Sequence, residues 1–372
     1  MNDYDAVVVG ARCAGAATAM LLARAGARVL LLDRERPGRD TLSTHALLPG
    51  AVLQLRRWGL LDAVAAASPA ITSVRYFFGD TVSTVDLPGP LHAPRRTVLD
   101  PLLVDAARDA GATVRSGVDV TGVLRDRGRV VGVVARGRGS AAYEVRAPLV
   151  IGADGRRSTV AHLVDAPVLR RGRAASAVVY GYWPLTSHSY ELFYRPGLTG
   201  GIIPTGGGLA CVWVALPAGR FRAQRDVGLD RLFARTVARV APTTAALFAA
   251  PRTGPLRGFP GMVACLRRAT GPGWALVGDA ANVKDPLTAH GITDALRDAE
   301  LLVRAVVADD LDAYAARRDA LAYPLLDVAE KIAGYDWTLE ELPGLLRAED
   351  LVRRADLATV AGFDAPGLAS AA

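Results

Sequence analysis

Residues 6–9 are an alanine and three valines that stop at Gly10. Residues 14–28 are rich in Ala and Leu and carry no proline, and residues 29–32 are a valine and three leucines closing on Asp33. Strand, glycine turn, helix and second strand make a βαβ unit, which commits the chain to a parallel sheet with helices packed on it. The turn itself, Gly10-Ala11-Arg12-Cys13-Ala14-Gly15, occupies the place of a G-x-G-x-x-G fingerprint. Its first glycine permits the tight turn and its last the close packing of helix on strand, while Arg12 replaces the glycine at which backbone approaches a pyrophosphate. Asp33 lies where an acid accepts hydrogen bonds from ribose hydroxyls. The unit therefore predicts a dinucleotide site made of Gly10, Arg12, Cys13, Ala14, Gly15, Asp33 and the adjoining Arg34. Arg12 would bring charge to the phosphates. Cys13, with no second cysteine nearby, reads as a small filler beneath the cofactor.

Beyond this unit the pattern alternates. Helical composition over residues 47–67 breaks at Gly59, a second helix covers 97–110, and 118–151 read as a meander of short strands closing on a buried one. Residues 174–217 are strand-like throughout and gather Tyr180, Tyr182, Trp183, Tyr190, Phe193, Tyr194 and Trp213, while 291–307 and 311–332 read as long helices. By alternation Tyr180 and Tyr182 share one sheet face, as do Tyr190 and Tyr194.

Composition narrows the class further. With 51% hydrophobic and 22% charged residues the chain is globular, and its apolar runs are broken by arginines before the ~20 residues a membrane span needs. The acidic start, Met1 to Asp5, lacks the basic and then apolar character of a secretory signal, so a cytoplasmic protein is expected. Three widely spaced cysteines with no His/Cys cluster predict neither disulfide nor metal. The net charge of +7 comes from 44 basic residues, of which only Lys284 and Lys331 are lysines. The arginines form short clusters interspersed with acids rather than one basic, aromatic-laced patch, which argues against nucleic acid as a partner.

Three further motifs carry a family resemblance. Residues 152–160 (Gly-Ala-Asp-Gly-Arg-Arg-Ser-Thr-Val), Gly278-Asp279-Ala280-Ala281 with Pro286 and Gly291, and Arg96 followed by Leu99 and Leu103 resemble, in order and spacing, the motifs of FAD-dependent aromatic hydroxylases with the para-hydroxybenzoate hydroxylase fold. The similarity spans about residues 4–335. Residues 284–295 also resemble a branch shared with geranylgeranyl-reductase-like and halogenase-like flavoproteins, and Ile292-Thr293 departs from the hydroxylases' Gly-x-Asn.

The resemblance implies an α/β protein: a Rossmann-like, three-layer ββα FAD-binding domain with an inserted, mostly antiparallel substrate sheet and C-terminal helices. The expected division is 1–72, 92–166 and 268–335 for the FAD domain, 73–91 and 167–267 for the substrate domain, and 336–372 for a helical tail. It implies FAD held also by Thr44, His45, Arg96, Val120, Gly278, Asp279, Pro286, His290, Gly291 and Ile292. Asp279 would meet the ribityl chain, His290 the pyrimidine edge, and the helix start at Gly291 the negative charge of reduced flavin. With no second Gly-rich βαβ turn, NAD(P)H would bind transiently. O2 would form a flavin C4a-hydroperoxide that hydroxylates or epoxidises an aromatic or polycyclic small molecule, with Tyr182, Tyr194 and Trp213 as substrate contacts and His45 as the candidate for base work or a cofactor hydrogen bond. The alternatives are a flavin reductase or desaturase of isoprenoid double bonds and a non-redox FAD protein acting in cyclisation. A halogenase is disfavoured by the missing W-x-W-x-I-P segment. Oligomeric state is not readable from the sequence.

Overall fold

The computed structural model describes residues 3–364 except 42, 44, 243 and 245–250. Its first layer is a six-stranded sheet in the order Thr270–Gly271, Trp274–Leu276, Leu149–Gly152, Ala6–Val9, Val29–Asp33 and Thr113–Ser116. All neighbours are parallel except the first pair. Its three central strands, Leu149–Gly152, Ala6–Val9 and Val29–Asp33, are short runs of Val, Leu and Ile buried on both faces, as a sheet covered on both sides requires. One face packs on the helices Cys13–Arg24, Arg96–Asp109 and Gly291–Val307. The other packs on a three-stranded antiparallel sheet, Val118–Asp126, Arg129–Gly137 and Ala142–Arg146, through Val7, Val9, Leu30 and Leu32 against Val118, Val120, Val133 and Val145. The result is the ββα layering expected from the sequence.

A second, seven-stranded sheet is antiparallel apart from one parallel pairing. It runs in the order Thr253–Phe259, Ser176–Pro184, Leu209–Pro217, Leu198–Thr205, Ser189–Arg195, Ile71–Phe78 and Thr81–Leu91. Its two faces are chosen by alternation. Val179, Trp183, Phe193 and Val212 point to the back, where the amphipathic helix Leu229–Val240 covers them and Trp183 stacks on Phe233. Tyr180, Tyr182, Tyr190, Tyr194 and Trp213 point to the front and join the core of the first body. Residues 227–249 are helical in composition; the helix runs over Leu229–Val240, and residues 245–250 lie outside the described residues. Helices Leu311–Gly334 and Leu342–Ala361 close the described chain. No helix among the described residues is long and apolar enough to cross a membrane.

Candidate cofactor site

A cavity of about 520 Å3 lies between the C-terminal edge of the parallel sheet and the front of the large sheet. That is the position at which open α/β sheets bind ligands, and a volume ordinary for a small-molecule site. At one end its wall is backbone. Gly10 adopts φ +104°, and a Cβ there would stand 2.5 Å from the Ala153 carbonyl oxygen. Gly15 lies behind it, where a Cβ would meet the Gly10 carbonyl oxygen at 1.7 Å. Arg12 is the N-cap of the helix Cys13–Arg24 and makes no side-chain capping bond, so the first-turn N–H groups have no side-chain acceptor and stand at the cavity wall. Asp33 ties this turn together: its Oδ2 accepts from the Ala11 N–H at 2.6 Å and its Oδ1 from the Glu35 N–H at 2.7 Å.

The side walls are charged and partly buried. Arg96 donates through Nε and Nη2 to both oxygens of Asp100, at 2.9 and 3.0 Å, while still lining the cavity. The ion pair with Asp100 thus fixes a guanidinium in the wall. Cys13 is buried, with Sγ 3.3 Å from Asp100 Oδ1, and burial pushes its thiol far above the ordinary range, as befits a filler. Asp279 lines the cavity from a short turn, Gly278–Ala280, and burial raises its carboxyl against the opposing pull of Lys284, Arg156 and Arg96. Asp285 is likewise pushed up to about 6 by burial, although its carboxylate accepts from the Ser176 and Leu287 N–H groups.

At the other end the wall is made of side chains from distant parts of the chain. Val178, Tyr180 and Phe259 come from the large sheet, Ser43, His45 and Ala46 from the segment after the second strand, and Pro286, Ala289, Gly291 and Ile292 from the start of the helix Gly291–Val307. His45 is 1% exposed and holds φ +69°. A buried non-glycine residue in that region costs energy that its surroundings must supply. Its Nε2 is 2.5 Å from the Tyr182 hydroxyl, its ring stacks on the Tyr182 ring, and the Arg95 guanidinium lies over the Tyr182 ring, 3.8 Å from its centre. Arg95 and Arg257 share Asp40, each at 3.0 Å. Burial, with Arg96, Arg95 and Arg257 adding, holds the His45 imidazole down to about 3, so it is neutral at physiological pH.

Most of the expected cofactor residues meet here: Gly10, Arg12, Cys13, Ala14, Asp33, Arg34, His45, Arg96, Val120, Asp279, Pro286, Gly291 and Ile292 all line the cavity. Gly15 and Gly278 do not; they pack behind it. His290, at the N-cap of the helix Gly291–Val307, is 2% exposed and outside the lining, with Nδ1 3.6 Å from Asp294 and Nε2 3.9 Å from Glu349. The substrate contacts are also revised. Tyr194 stacks on Phe78 and meets Trp337 edge-on, covered by the segment after residue 334, and Trp213 packs on Gly201; neither lines the cavity. Tyr182 stands one layer behind His45, and Tyr180 takes the lining position instead. Thr44 lies outside the described residues. Val178, Phe259, Arg156, Arg157, Lys284 and Asp285 line the cavity as well, although none was named as a site residue from the sequence. Arg156, Arg157, Lys284 and Asp285 had a signal, since they lie inside the motifs at 152–160 and 284–295; Val178 and Phe259 had none.

An elongated cavity with a glycine cradle, open helix-start N–H groups, an acid at the second strand and a guanidinium in its wall fits a flavin dinucleotide, and this defines the class as a dinucleotide-binding flavoprotein. The sequence profile of the FAD binding domain family matches residues 3–328, and the chain belongs to that family of FAD-dependent oxidoreductases. It is 31% identical over 333 residues to the menaquinone reductase of Mycolicibacterium smegmatis, covering 83% of this chain and 78% of that protein. It is 27% identical over 330 residues to the ubiquinone hydroxylase UbiL of Rhodospirillum rubrum, covering 82% and 72%. Among solved structures, the flavin-dependent brominase Bmp2 superposes with a TM-score of 0.80 at 19% identity, over 96% of this chain and 93% of that one, which is a likeness of fold.

Proposed function

We propose that the chain is an FAD-dependent monooxygenase that uses NAD(P)H and O2 to oxygenate an aromatic or polycyclic small molecule. The observation that carries this is the ring-side wall, where apolar and aromatic groups of the large sheet, Val178, Tyr180 and Phe259, face the cofactor wall across one cavity. When bound, FAD would supply electron transfer from the nicotinamide and activation of O2, and the protein would supply binding, orientation and exclusion of water. Gly10, the Cys13–Arg24 helix start and Arg12 would hold the phosphates, Asp33 and Arg34 the adenosine side, Arg96 and Asp279 the flavin side.

His45 takes a different part from that of a base. Its Nε2 shares a hydrogen bond with the Tyr182 hydroxyl, in which either partner can donate. Nδ1 is buried and has no partner among the described residues. His45 therefore offers a neutral hydrogen-bonding nitrogen at the cavity wall, kept from becoming an imidazolium by burial first and then by Arg96, Arg95 and Arg257. We assign it to orienting the cofactor or a substrate oxygen.

The likeness to menaquinone reductase favours a second function, flavin-dependent reduction of an isoprenoid double bond, which needs no oxygen. The two are separated by incubating the FAD-loaded protein with NADPH or NADH and a panel of phenols, polycyclic aromatics and prenylated quinones, under air and under argon. Monooxygenation gives product only in air, carrying one oxygen atom from labelled O2. Saturated product under argon would overturn it and establish the reductase.

A further inference from the structure

Of 44 basic residues 42 are arginines, yet a lysine stands in the wall of the cofactor cavity. The Lys284 side chain is 4% exposed, its Nζ lies 2.8 Å from Asp294 Oδ2, and it donates to the Asn282 carbonyl at 3.1 Å. Behind this pair Arg297, itself 2% exposed, donates to Asp294 Oδ1 at 3.0 Å, to Asp298 at 2.6 Å and to Asp356. The charges are therefore layered. Lys284 lines the cavity, Asp294 and Arg297 do not, and Asp298 and Asp356 flank Arg297.

This order gives the buried pair a direction. Asp294 divides its charge between Lys284 and Arg297, so the cavity faces the positive end of the array. The N-terminus of the 17-residue helix Gly291–Val307 adds a dipole of the same sign through Gly291 and Ile292 in the same wall. Two acids also face the cavity here, Asp279 and Asp285; burial raises both carboxyls, Asp285 to about 6, and the Asp285 oxygens are engaged by the Ser176 and Leu287 N–H groups. Apolar side chains of similar volume would serve stability as well as a buried ion pair does. What the pair adds is charge shown to the ligand.

We propose that Lys284 is the cation that answers the negative charge gained by FAD on reduction, so that the protein binds the reduced cofactor more tightly than it would otherwise and the flavin potential is raised. Reduction by the nicotinamide, or by dithionite in a test, adds two electrons and one proton to the ring system and leaves one extra negative charge there. A fixed ammonium in a wall shielded from water acts on that charge and hardly at all on the neutral oxidised ring. Lys284 is a positioning residue in this account. The proposal rests on FAD binding alone and holds whether the electrons go on to oxygen or to a double bond.

The test is to measure the affinity of the apoprotein for oxidised FAD in air and for dithionite-reduced FAD under argon, with the midpoint potential as an independent readout. In Lys284→Met the affinity for reduced FAD falls about tenfold or more beyond any change for oxidised FAD. Each such factor of ten moves a two-electron potential about 30 mV more negative. Lys284→Met/Asp294→Asn leaves no unpaired buried acid and shows the same change, which covers the case in which the single variant fails to fold. Lys284→Arg keeps the ratio of affinities within about threefold. Equal losses for both redox forms in the Met variants, an unchanged ratio in the double variant, or loss of the ratio in Lys284→Arg would overturn the proposal. The product assay under air and argon is unaffected by that outcome, so the two ideas fail separately.

Discussion

The two ends of the cavity are built by different means. The end near the first helix is backbone against backbone, with Gly10, Gly15 and Ala153 packed so closely that no side chain fits between them. The end near the large sheet is side chain against side chain, with Tyr182 in contact with both the His45 ring and the Arg95 guanidinium, and Arg95 tied to Asp40. A backbone wall has one shape and fails at once when a methyl group is added. A side-chain wall can lose a member and keep its outline, so damage there should fall on chemistry before it falls on cofactor retention.

The largest effect expected of this contrast is at Gly15. In Gly15→Ala the new Cβ would be 1.7 Å from the Gly10 carbonyl oxygen, and relief requires the turn to open. We expect loss of bound FAD on purification and a stability cost of about 3 kcal/mol, read from the flavin absorbance ratio and from thermal unfolding. Retention of stoichiometric FAD would mean that the turn is more pliable than its packing implies.

The next effect concerns protons. His45 has its usual value in the unfolded chain and about 3 in the folded one, so between those limits the unfolded state binds a proton that the folded state does not. The contribution is present at neutral pH and is lost as pH falls from about 6.5 toward 3. Asp285 has the opposite sign: its folded value is raised to about 6, so its contribution weakens as pH rises from about 4 to 6. The two partly cancel over that interval. In His45→Gln the acid-side loss, on the order of 5 kcal/mol at full titration, should disappear, so that its stability falls less than the parent's as pH drops through that range. Denaturant melts at pH 4, 5, 6 and 7 measure this, and parallel curves for both proteins would show that His45 is not held neutral.

These differences also mark what the sequence could reveal. Gly10, Gly15, Asp33, Asp279 and Gly291 were legible because backbone turns at strand ends demand particular residues at fixed spacing, and those demands are local. Val178, Tyr180 and Phe259 were not, since nothing local says which face of a sheet a separate helix will cover. Alternation paired Tyr180 with Tyr182 correctly, but only the helix Leu229–Val240, seated on Trp183 and Phe193, decides that the tyrosines turn inward. Tyr194 was expected at the substrate and lies instead under Trp337, from a segment 143 positions later in the chain by their numbers. The surroundings of His290 were out of reach for a related reason: its neighbours Asp294 and Glu349 belong to two helices whose approach depends on the whole C-terminal packing.

A smaller effect separates retention from chemistry. Tyr182→Phe removes the hydroxyl that fixes the His45 ring, at a cost of about 1 kcal/mol, while the cavity lining is unchanged because Tyr182 stands behind it. FAD content should stay at the parent level while the fraction of NAD(P)H oxidation that ends in product drops several-fold. Equal coupling in the variant and the parent would remove His45 from any orienting role.

The smallest effect tests the one side chain that joins the two ends. Arg12 replaces a glycine in the backbone-built turn, is exposed, and donates through Nη1 to Thr41 Oγ1, in the segment that leads to His45. An exposed guanidinium is screened by salt and holds a neighbour weakly, so its charge should matter to the phosphates only at low ionic strength. Arg12→Ala should weaken FAD binding a few-fold in dilute buffer and little at about 1 M salt, whereas Thr41→Val, which removes the tether and keeps the charge, should leave affinity unchanged and lower coupling slightly. Undiminished FAD affinity of Arg12→Ala in dilute buffer would assign Arg12 to the tether alone, and the middle position of the fingerprint would then serve the ring end of the cavity rather than the phosphate end.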